Sequence, residues 1–227
     1  MVLSSLLPVG LRHVERRTRL VQILGACAEV GMVPASGAAV HVFAYLTDAL
    51  APVWHLPIVN AQLIKRESRP FFPALQQDLD GLVGAGVVLV DAFDYGQEDN
   101  GGWRLSAWYR LNVEAARSVL ELSSELQSQR VGAAFVREVV LAASGLGDDE
   151  LNSIGILDAA YSSEITDIGE VLDLDTQDRE LGTSVELNRS AAVAVRLGEL
   201  ASTSLALSFS ELVHMYIRHL YSRVRVA

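Results

Sequence analysis

Few residues in this chain have side chains that could do chemistry on a phosphate or a carbonyl group. Lys65 is the single lysine among its 18 basic residues. A phosphate-binding loop of the Walker A type needs a lysine directly after a glycine, whereas Lys65 follows Ile64. The segment around Lys65 also lacks the context of a kinase lysine or of a lysine that forms a Schiff base with a cofactor. The sequence therefore argues against these classes of enzyme.

Cysteine and histidine give no pattern of a metal site or a nucleophile. Cys27 is the only cysteine, so it can form no disulfide within the chain, which fits a reducing cytoplasm. His214 and His219 are five positions apart, whereas paired metal ligands on one helix face are three or four apart. His41 lies among apolar residues and is expected to be a core histidine. We expect no catalytic residue, no metal ion and no cofactor.

Acidic residues are concentrated in the second half of the chain. The formal net charge is −10, and the range 148–186 holds twelve acidic residues against one basic residue. Asp173, Asp175 and Asp178 have the spacing that opens a calcium loop, but Asp178 stands where that loop needs glycine and the twelfth position is a serine. We expect these three aspartates to belong to a solvated segment or to a docking segment for a basic partner surface.

The basic residues that could contact DNA or an acidic partner fall into two groups. The first shares one helix face at positions i, i+4 and i+7 and consists of Arg12, Arg16 and Arg19. The second flanks the third predicted helix and consists of Lys65, Arg66, Arg69, Arg104 and Arg110. Two observations argue against sequence-specific DNA recognition. The net charge is negative, and Asp78 and Asp80 on that helix would point negative charge at phosphate. A solvated helix face is the alternative for the first group, and protein docking for the second.

The first half of the chain has the pattern of three helices followed by a hairpin. Apolar spacing predicts helices over Leu11–Val30, from the N-cap Ser36 to about Leu50, and over Ala74–Val83. Alternation predicts strands at Val87–Val90 and Trp103–Leu111 around a polar, glycine-rich tip, while Ile58–Ile64 fits a strand or a helical turn equally. A helix followed by a two-stranded ribbon, after two earlier helices, is the layout of a winged-helix module over residues 1–112.

The second half has no proline and no convincing strand pattern. Helices are predicted over Val113–Leu126 and Val131–Ser144, with a break around Ser128 and Gln129, then from Asp148 onward, and near Ser184–Ala201 and Ser208–Arg223, with a loop over Ile168–Leu181. We predict an acidic helical domain over residues 113–227. The fold class is therefore α+β, mostly α, with a winged-helix-like N-terminal module and a helical C-terminal part.

Several segments resemble a known family. These are PVGLRHVERRTRLVQIL, AYLTDALAPVW and RPFFPALQQDLDGLVGAGVV, followed by LDAAYSSEITDIGEVLDLD and ELNRS. They are similar to the middle subunits of bacterial three-component ABC-ATPase (SMC-like) antiphage defence systems, the group that includes Lamassu. The similarity covers most of the chain, and its motifs are patterns of apolar residues, proline, glycine and aspartate.

The resemblance implies a cytoplasmic accessory subunit that has no chemistry of its own. In such systems an SMC-like ATPase senses foreign DNA and an effector, often a nuclease, does the damage. The middle subunit would join the ATPase heads to the effector within a hetero-oligomer, and would contact DNA at most indirectly or non-specifically. Two hypotheses compete with this one. The first is a stand-alone winged-helix transcription regulator, which predicts a homodimer that binds duplex DNA with a steep salt dependence. The second is an enzyme of unrecognised type, which a buried carboxylate with a strongly shifted pKa in a pocket would support. No segment of the sequence is expected to span a membrane.

Overall fold

The computed structural model describes residues 9–97, 103–175, 187–201 and 207–226. Within these ranges the chain is α+β and mostly helical. The helices are α1 (Val9–Glu29), α2 (Gly37–Ala49), α3 (Pro73–Gly84), α4 (Val113–Glu125), α5 (Gln127–Ala142), α6 (Asp148–Leu157), α7 (Arg189–Ala201) and α8 (Phe209–Val224), and a short 3₁₀ helix covers Ala51–Trp54. The strands are β1 (Ala35–Ser36), β2 (Gln62–Lys65), β3 (Pro70–Phe71), β4 (Val88–Gln97), β5 (Trp103–Leu111) and β6 (Val171–Asp173).

Helix α2 is the centre of the molecule. Every residue from Ala39 to Ala49 is buried, because other elements cover the helix on all sides. The predicted N-cap is confirmed: the Ser36 Oγ accepts a hydrogen bond from the Ala39 N–H at 3.0 Å, which satisfies one of the free donors of the first turn. The local sequence therefore sets where the helix begins, and its apolar composition explains why it is fully buried.

The first sheet is antiparallel, with strand order β1-β5-β4. The two predicted strands of the ribbon are confirmed, and β4 continues beyond the predicted end at Val90 to Gln97. Gly86 has a φ of +72°, a conformation that glycine adopts without strain, and it turns the chain from α3 into the ribbon. A bulge interrupts the pairing between Val90 and Ala92. The tip of the ribbon, residues 98–102, lies outside the described residues.

The second sheet joins residues far apart in the sequence. Its order is β3-β2-β6, and β6 pairs antiparallel with β2, so that Leu63 faces Leu172. The expectation of no strand in the second half is therefore wrong, because Val171–Asp173 is a strand. A strand of three residues is too short to show alternation, and it forms because β2 supplies its hydrogen bonds. The undecided segment Ile58–Ile64 ends in strand β2.

The second half is otherwise helical, as predicted. The break between α4 and α5 falls at Leu126, two residues before its expected position, and α6 begins at Asp148 as expected. Buried residues from both halves belong to one hydrophobic cluster, in which Leu24 and Val42 occur together with Phe135 and Val139. The division of the chain near residue 112 remains a prediction. No helix of the described ranges combines the length and the apolar character needed to cross a bilayer.

Candidate interaction surface

The arginines of α1 lie in three different environments. The Arg16 Nε donates to the Asp78 Oδ2 at 2.6 Å, and its side chain is only 12% exposed. Arg19 is buried, and burial lowers the pKa of its guanidinium while nearby Asp48 opposes that shift. Arg12 lies on the exposed surface. The structure therefore does not bring the three side chains to one exposed face, and of the three only Arg12 is solvent-exposed.

Asp78 is the buried centre of an ionic cluster between α1 and α3. The placement of Asp78 on the face of α3 that would meet a duplex is wrong, because its side chain is 2% exposed, so only Asp80 would point negative charge at phosphate. Arg16 and Arg17 donate to its two oxygens, and the His13 Nδ1 lies 2.9 Å from Oδ1. Burial opposes ionisation of Asp78, but the hydrogen bonds from His13 and Arg16 outweigh it and lower the pKa of the carboxyl group. Asp80, two residues later, is exposed and accepts a hydrogen bond from Gln76.

The basic residues before α3 lie beside the β2–β3 hairpin. The Lys65 Nζ donates to the carbonyl oxygens of Ser163 and Thr166, both at 2.7 Å, and so fastens the loop after α6. The Arg66 guanidinium lies 3.7 Å from the centre of the Phe71 ring, a cation–π contact. Arg69 is partly buried and lines the cleft described below. Lys65 thus has a structural contact with the loop after α6, and Arg66 and Arg69 both line the cleft.

The ribbon arginines and the acidic segment are only partly described. Arg110 forms an exposed ion pair with Asp91 at 2.6 Å, while the side chain of Arg104 lies outside the described residues. Asp173 accepts hydrogen bonds from the Gln62 side chain and from the Asp175 N–H. Asp178 lies outside the described residues, so whether the three aspartates form one docking segment remains a prediction.

Asp158 is the most heavily bonded carboxylate in the interior. It is 0% exposed and accepts hydrogen bonds from the hydroxyl groups of Tyr45, Tyr216 (2.8 Å) and Ser190 (2.6 Å), as well as from the Ala160 N–H at 3.0 Å. Burial and the neighbouring carboxylate raise the pKa of the Tyr45 hydroxyl well above its usual value. These groups come from α2, α7, α8 and the end of α6, and they satisfy one another.

Two further buried titratable groups belong to α2. Asp48 accepts hydrogen bonds from the Val59 N–H and from both the N–H and the amide group of Asn60, yet burial raises its pKa to about 6. His41 is a core histidine, as expected: its Nδ1 accepts from the Phe72 N–H and its Nε2 contacts Gln76 at 3.1 Å. Burial lowers the pKa of His41 to about 4, so the ring is neutral at pH 7.

A cleft of about 620 Å³, which we call the cleft, lies between the ribbon and the hairpin. Its walls come from the start of α2, the hairpin, α3, the ribbon strands β4 and β5, and the first half of α6. Four carboxylates and two guanidinium groups line it: Asp80, Asp94, Asp148 and Asp149, and Arg66 and Arg69. At its floor lie the neutral His41 and the ring of Phe71.

Next to the cleft, the ribbon exposes an apolar face. Phe93 is 68% exposed, Tyr95 is 64% exposed and Leu105 is 56% exposed. Tyr95 is paired with Leu105 and Phe93 with Ala107, so these side chains project from the same side of the ribbon. The two aromatic rings contact edge to face at 6.3 Å. We call Phe93, Tyr95 and Leu105 the ribbon face. Sequence reasoning missed it, although the alternating segment DAFDY carried the signal.

The cleft holds no recognisable catalytic or metal-binding arrangement. Within the described ranges, no group of three or more histidine, cysteine, aspartate or glutamate side chains is placed to hold a metal ion. The buried polar groups at Asp158 and Asp48 are engaged in hydrogen bonds within the protein. The site consists of a cleft with more carboxylates than guanidinium groups, bordered by the exposed apolar side chains of the ribbon face.

Comparisons of the chain with known proteins identify no relative. No protein-family model matches the chain, no curated protein matches it, and no solved structure matches it.

Proposed function

We propose that the chain is a non-enzymatic accessory subunit of an SMC-like ATPase complex of antiphage defence. It would dock on the ATPase through a winged-helix module and connect it to an effector such as a nuclease. The resemblance of its segments to the middle subunits of such systems motivates the choice of partner. The geometry of the ribbon and of α3 supports docking to protein rather than reading of DNA.

The topology of the first half supports the winged-helix interpretation. Helix α1 is followed by the short strand β1, then by α2 and α3, and then by the two strands of the ribbon. Strand β1 pairs with the last strand, β5, which gives the order β1-β5-β4. Helix–strand–helix–helix–strand–strand, with the first strand beside the last, is typical of winged-helix modules. The hairpin β2–β3 is an insertion between the second and third helices.

The observation that carries the proposal is the chemistry of the two elements that a winged helix presents to its ligand. Helix α3 exposes Gln77, Asp80 and small residues, and it has no basic residue. Among the described side chains of the ribbon the one basic group is Arg110, which is paired with Asp91. Apolar side chains with carboxylates suit a protein surface, whereas a DNA backbone requires arginine and lysine.

Co-purification from the native host tests the partner. A tagged chain, isolated under gentle conditions, is expected to bring down a polypeptide with a Walker A motif and long heptad repeats, together with an effector, in fixed stoichiometry. A purified homodimer that binds duplex DNA, with an affinity that falls steeply with salt, would instead establish the transcription regulator. Mass spectrometry and fluorescence anisotropy separate these two results.

The acidic segment is proposed to dock on the effector and keep it inactive. The support is the charge count of residues 148–186. Reversal of charge at Asp173, Asp175 and Asp178 is expected to reduce co-purification of the effector while leaving the ATPase bound. Reversal at the exposed Glu121 and Glu125 of α4 is the matched control. Unchanged recovery of the effector with the triple variant would remove this part of the proposal.

A further inference from the structure

We propose that the cleft binds an extended segment of a partner polypeptide, apolar on one face and basic on the other, which continues β1 along the open edge of β5. The inference rests on the proposed function in one respect, namely that the segment belongs to a partner subunit. It adds a binding site, a conformation and a chemical character for the segment.

Within the described residues, one edge of strand β5 is unpaired over most of its length. Strand β5 has nine residues, but β1 has two, and it pairs only with Trp108 and Tyr109. After Ser36 the chain leaves the sheet to form α2. No described strand therefore lies along Leu105 and Ser106 on that side, whereas beside Ala107 a side chain on Gly37 would come within 3.6 Å of the carbonyl oxygen. Such an edge presents N–H and C=O groups in the spacing that an added strand requires.

The cleft lies along this same edge. Its lining includes every residue from Leu105 to Tyr109, with side chains that alternate between the two sides of the sheet. A volume that contacts both sides of one strand lies beside the edge of that strand rather than on one face of the sheet. The cleft is therefore positioned where the next strand would run.

Apolar side chains define one face of the expected segment. Leu105 lies at the edge, and Tyr95 and Phe93 continue the ribbon face behind it, all more than half exposed. In an added strand, the side chains of one face would lie beside Leu105 and would cover this apolar area. Aromatic groups clustered in an exposed patch are characteristic of protein interfaces.

Charge defines the other face. Four carboxylates line the cleft against two guanidinium groups, and one of those, Arg66, is stacked on Phe71. Asp94 lies next in sequence to both Phe93 and Tyr95, so it projects from the opposite side of the ribbon, and it lines the cleft together with Asp148 and Asp149. This excess of carboxylates favours lysine or arginine on the segment. A second copy of this chain is a poor occupant, because the chain has a net charge of −10 and its own ribbon carries aspartates.

Labelled model peptides test the site directly with the purified full-length chain. The probes are two seven-residue fluorescein peptides, one that alternates lysine with valine and one that alternates glutamate with valine. Anisotropy titration is expected to show at least tenfold tighter binding of the lysine peptide. Equal affinity for both peptides, or no binding of either, would overturn the proposal.

Two N-methylated versions of the lysine peptide test strand addition. One carries N-methyl groups on its valines and the other on its lysines, so each blocks the hydrogen-bonding groups of one edge. Strand addition predicts that one version loses at least tenfold in affinity and the other keeps it. Equal affinity of the two versions would overturn the extended conformation.

Matched variants locate the site. Leu105→Lys and Asp94→Lys are each expected to weaken binding of the lysine peptide at least fivefold. Leu122→Lys, at a residue on α4 that is also 56% exposed, and Glu125→Lys are the controls and are expected to change nothing. If the controls and the cleft variants behave alike, the site is wrong. A dimer that Leu105→Lys dissociates, measured by sedimentation, would show that the occupant is a second copy and would also overturn the proposal.

The peptide assay contains no ATPase, so it can succeed even if the proposed function fails. Conversely, an ATPase that co-purifies equally well with the wild-type chain and with the Leu105→Lys and Asp94→Lys double variant would support the proposed function and overturn this inference.

Discussion

Carboxylates in the interior around Asp158 and carboxylates at the surface around the cleft have opposite environments. Asp158 is fully buried and accepts hydrogen bonds from three hydroxyl groups and from backbone N–H groups. At the cleft, the carboxylates of Asp80 and Asp94 are exposed beside apolar side chains that no described residue covers. In the interior the polar groups satisfy one another. At the surface they remain available to another molecule.

Under the proposed function, the cleft and the ribbon face are the surfaces that would bind a partner. The tyrosine–aspartate–serine cluster lies in the interior, every member has a hydrogen-bond partner within the protein, and none of its residues lines the cleft. Buried polar groups of this kind fix the relative positions of helices. The exposed apolar and acidic groups of the cleft and the ribbon face contribute little to folding, so their chemistry is better explained by binding. Variants of the two regions test this contrast, and those in the interior should lose more stability than those at the surface.

Removal of the buried carboxylate should have the largest effect on stability. Asp158→Ala leaves the hydroxyl groups of Tyr45, Tyr216 and Ser190 buried without their acceptor, and we expect a loss of about 4 kcal/mol in the free energy of unfolding. Urea denaturation measures it. Asp158→Asn, which keeps an acceptor oxygen, should lose less, and the exposed Asp167→Ala should change stability by less than about 0.5 kcal/mol. Equal losses for Asp158→Ala and Asp167→Ala would contradict the structural role of the cluster.

The two titrating groups of α2 should produce opposing pH effects. The pKa of His41 is about 4 in the folded chain, below its usual 6.5, so only the unfolded chain gains this proton as the pH falls from 6.5 to 4, and stability is lost. The pKa of Asp48 is about 6, above its usual 3.8, so the folded chain gains its proton first, and stability increases as the pH falls through 6. In the wild type these two effects partly cancel.

Asp48→Asn removes one of the two effects. Between pH 7 and pH 4 the variant is expected to lose about 3 kcal/mol more stability than the wild type, because the titration of His41 is no longer offset. Urea unfolding at the two pH values measures the difference. In the double variant Asp48→Asn/His41→Gln, the loss of stability between pH 7 and pH 4 should be much smaller than in Asp48→Asn, because His41 no longer titrates. A pH profile identical to that of the wild type would show that the two groups do not titrate as described.

The ionic cluster between α1 and α3 should have an intermediate effect. Asp78→Ala removes the acceptor of Arg16 and Arg17 and leaves Arg16 partly buried without its partner, for an expected loss of about 2 kcal/mol. Because the pKa of Asp78 is lowered in the folded chain, its contribution is present above the usual pKa of 3.8 and is lost as the pH falls further. Asp80→Ala, on the exposed side of the same helix, is the control and should be close to neutral. A neutral Asp78→Ala would contradict this cluster.

Changes at the surface should have the smallest effect on stability. Leu105→Lys is expected to change the free energy of unfolding by less than about 0.5 kcal/mol, since the side chain is 56% exposed. Thermal unfolding measures it. A large destabilisation would show that Leu105 packs within the fold, and would remove the contrast between the cleft and the interior.

Patterns within short segments could be read directly from the sequence. The cap at Ser36, the helix α3 and the ribbon strands follow from a hydroxyl side chain and from apolar periods of 3.6 and 2, which depend on neighbouring residues only. The break between α4 and α5 lies at Leu126, two residues before the predicted one, because the polar residues after Leu126 carry the stronger local signal for a break. Strand β6 was missed because three residues carry no period.

By itself the sequence determined the mostly helical character, the start of the central helix, the ribbon and the lack of a recognisable phosphate-binding or metal-binding motif. Only the tertiary structure decided which charged residues are buried and which are open. Tyr45 and Asp158 are 113 positions apart, and His13 and Asp78 are 65 apart. Burial and pairing across such separations depend on how whole elements pack, and no local pattern encodes them. The cleft was decided in the same way, since its walls come from segments between Ser36 and Asn152 that meet only in the folded chain.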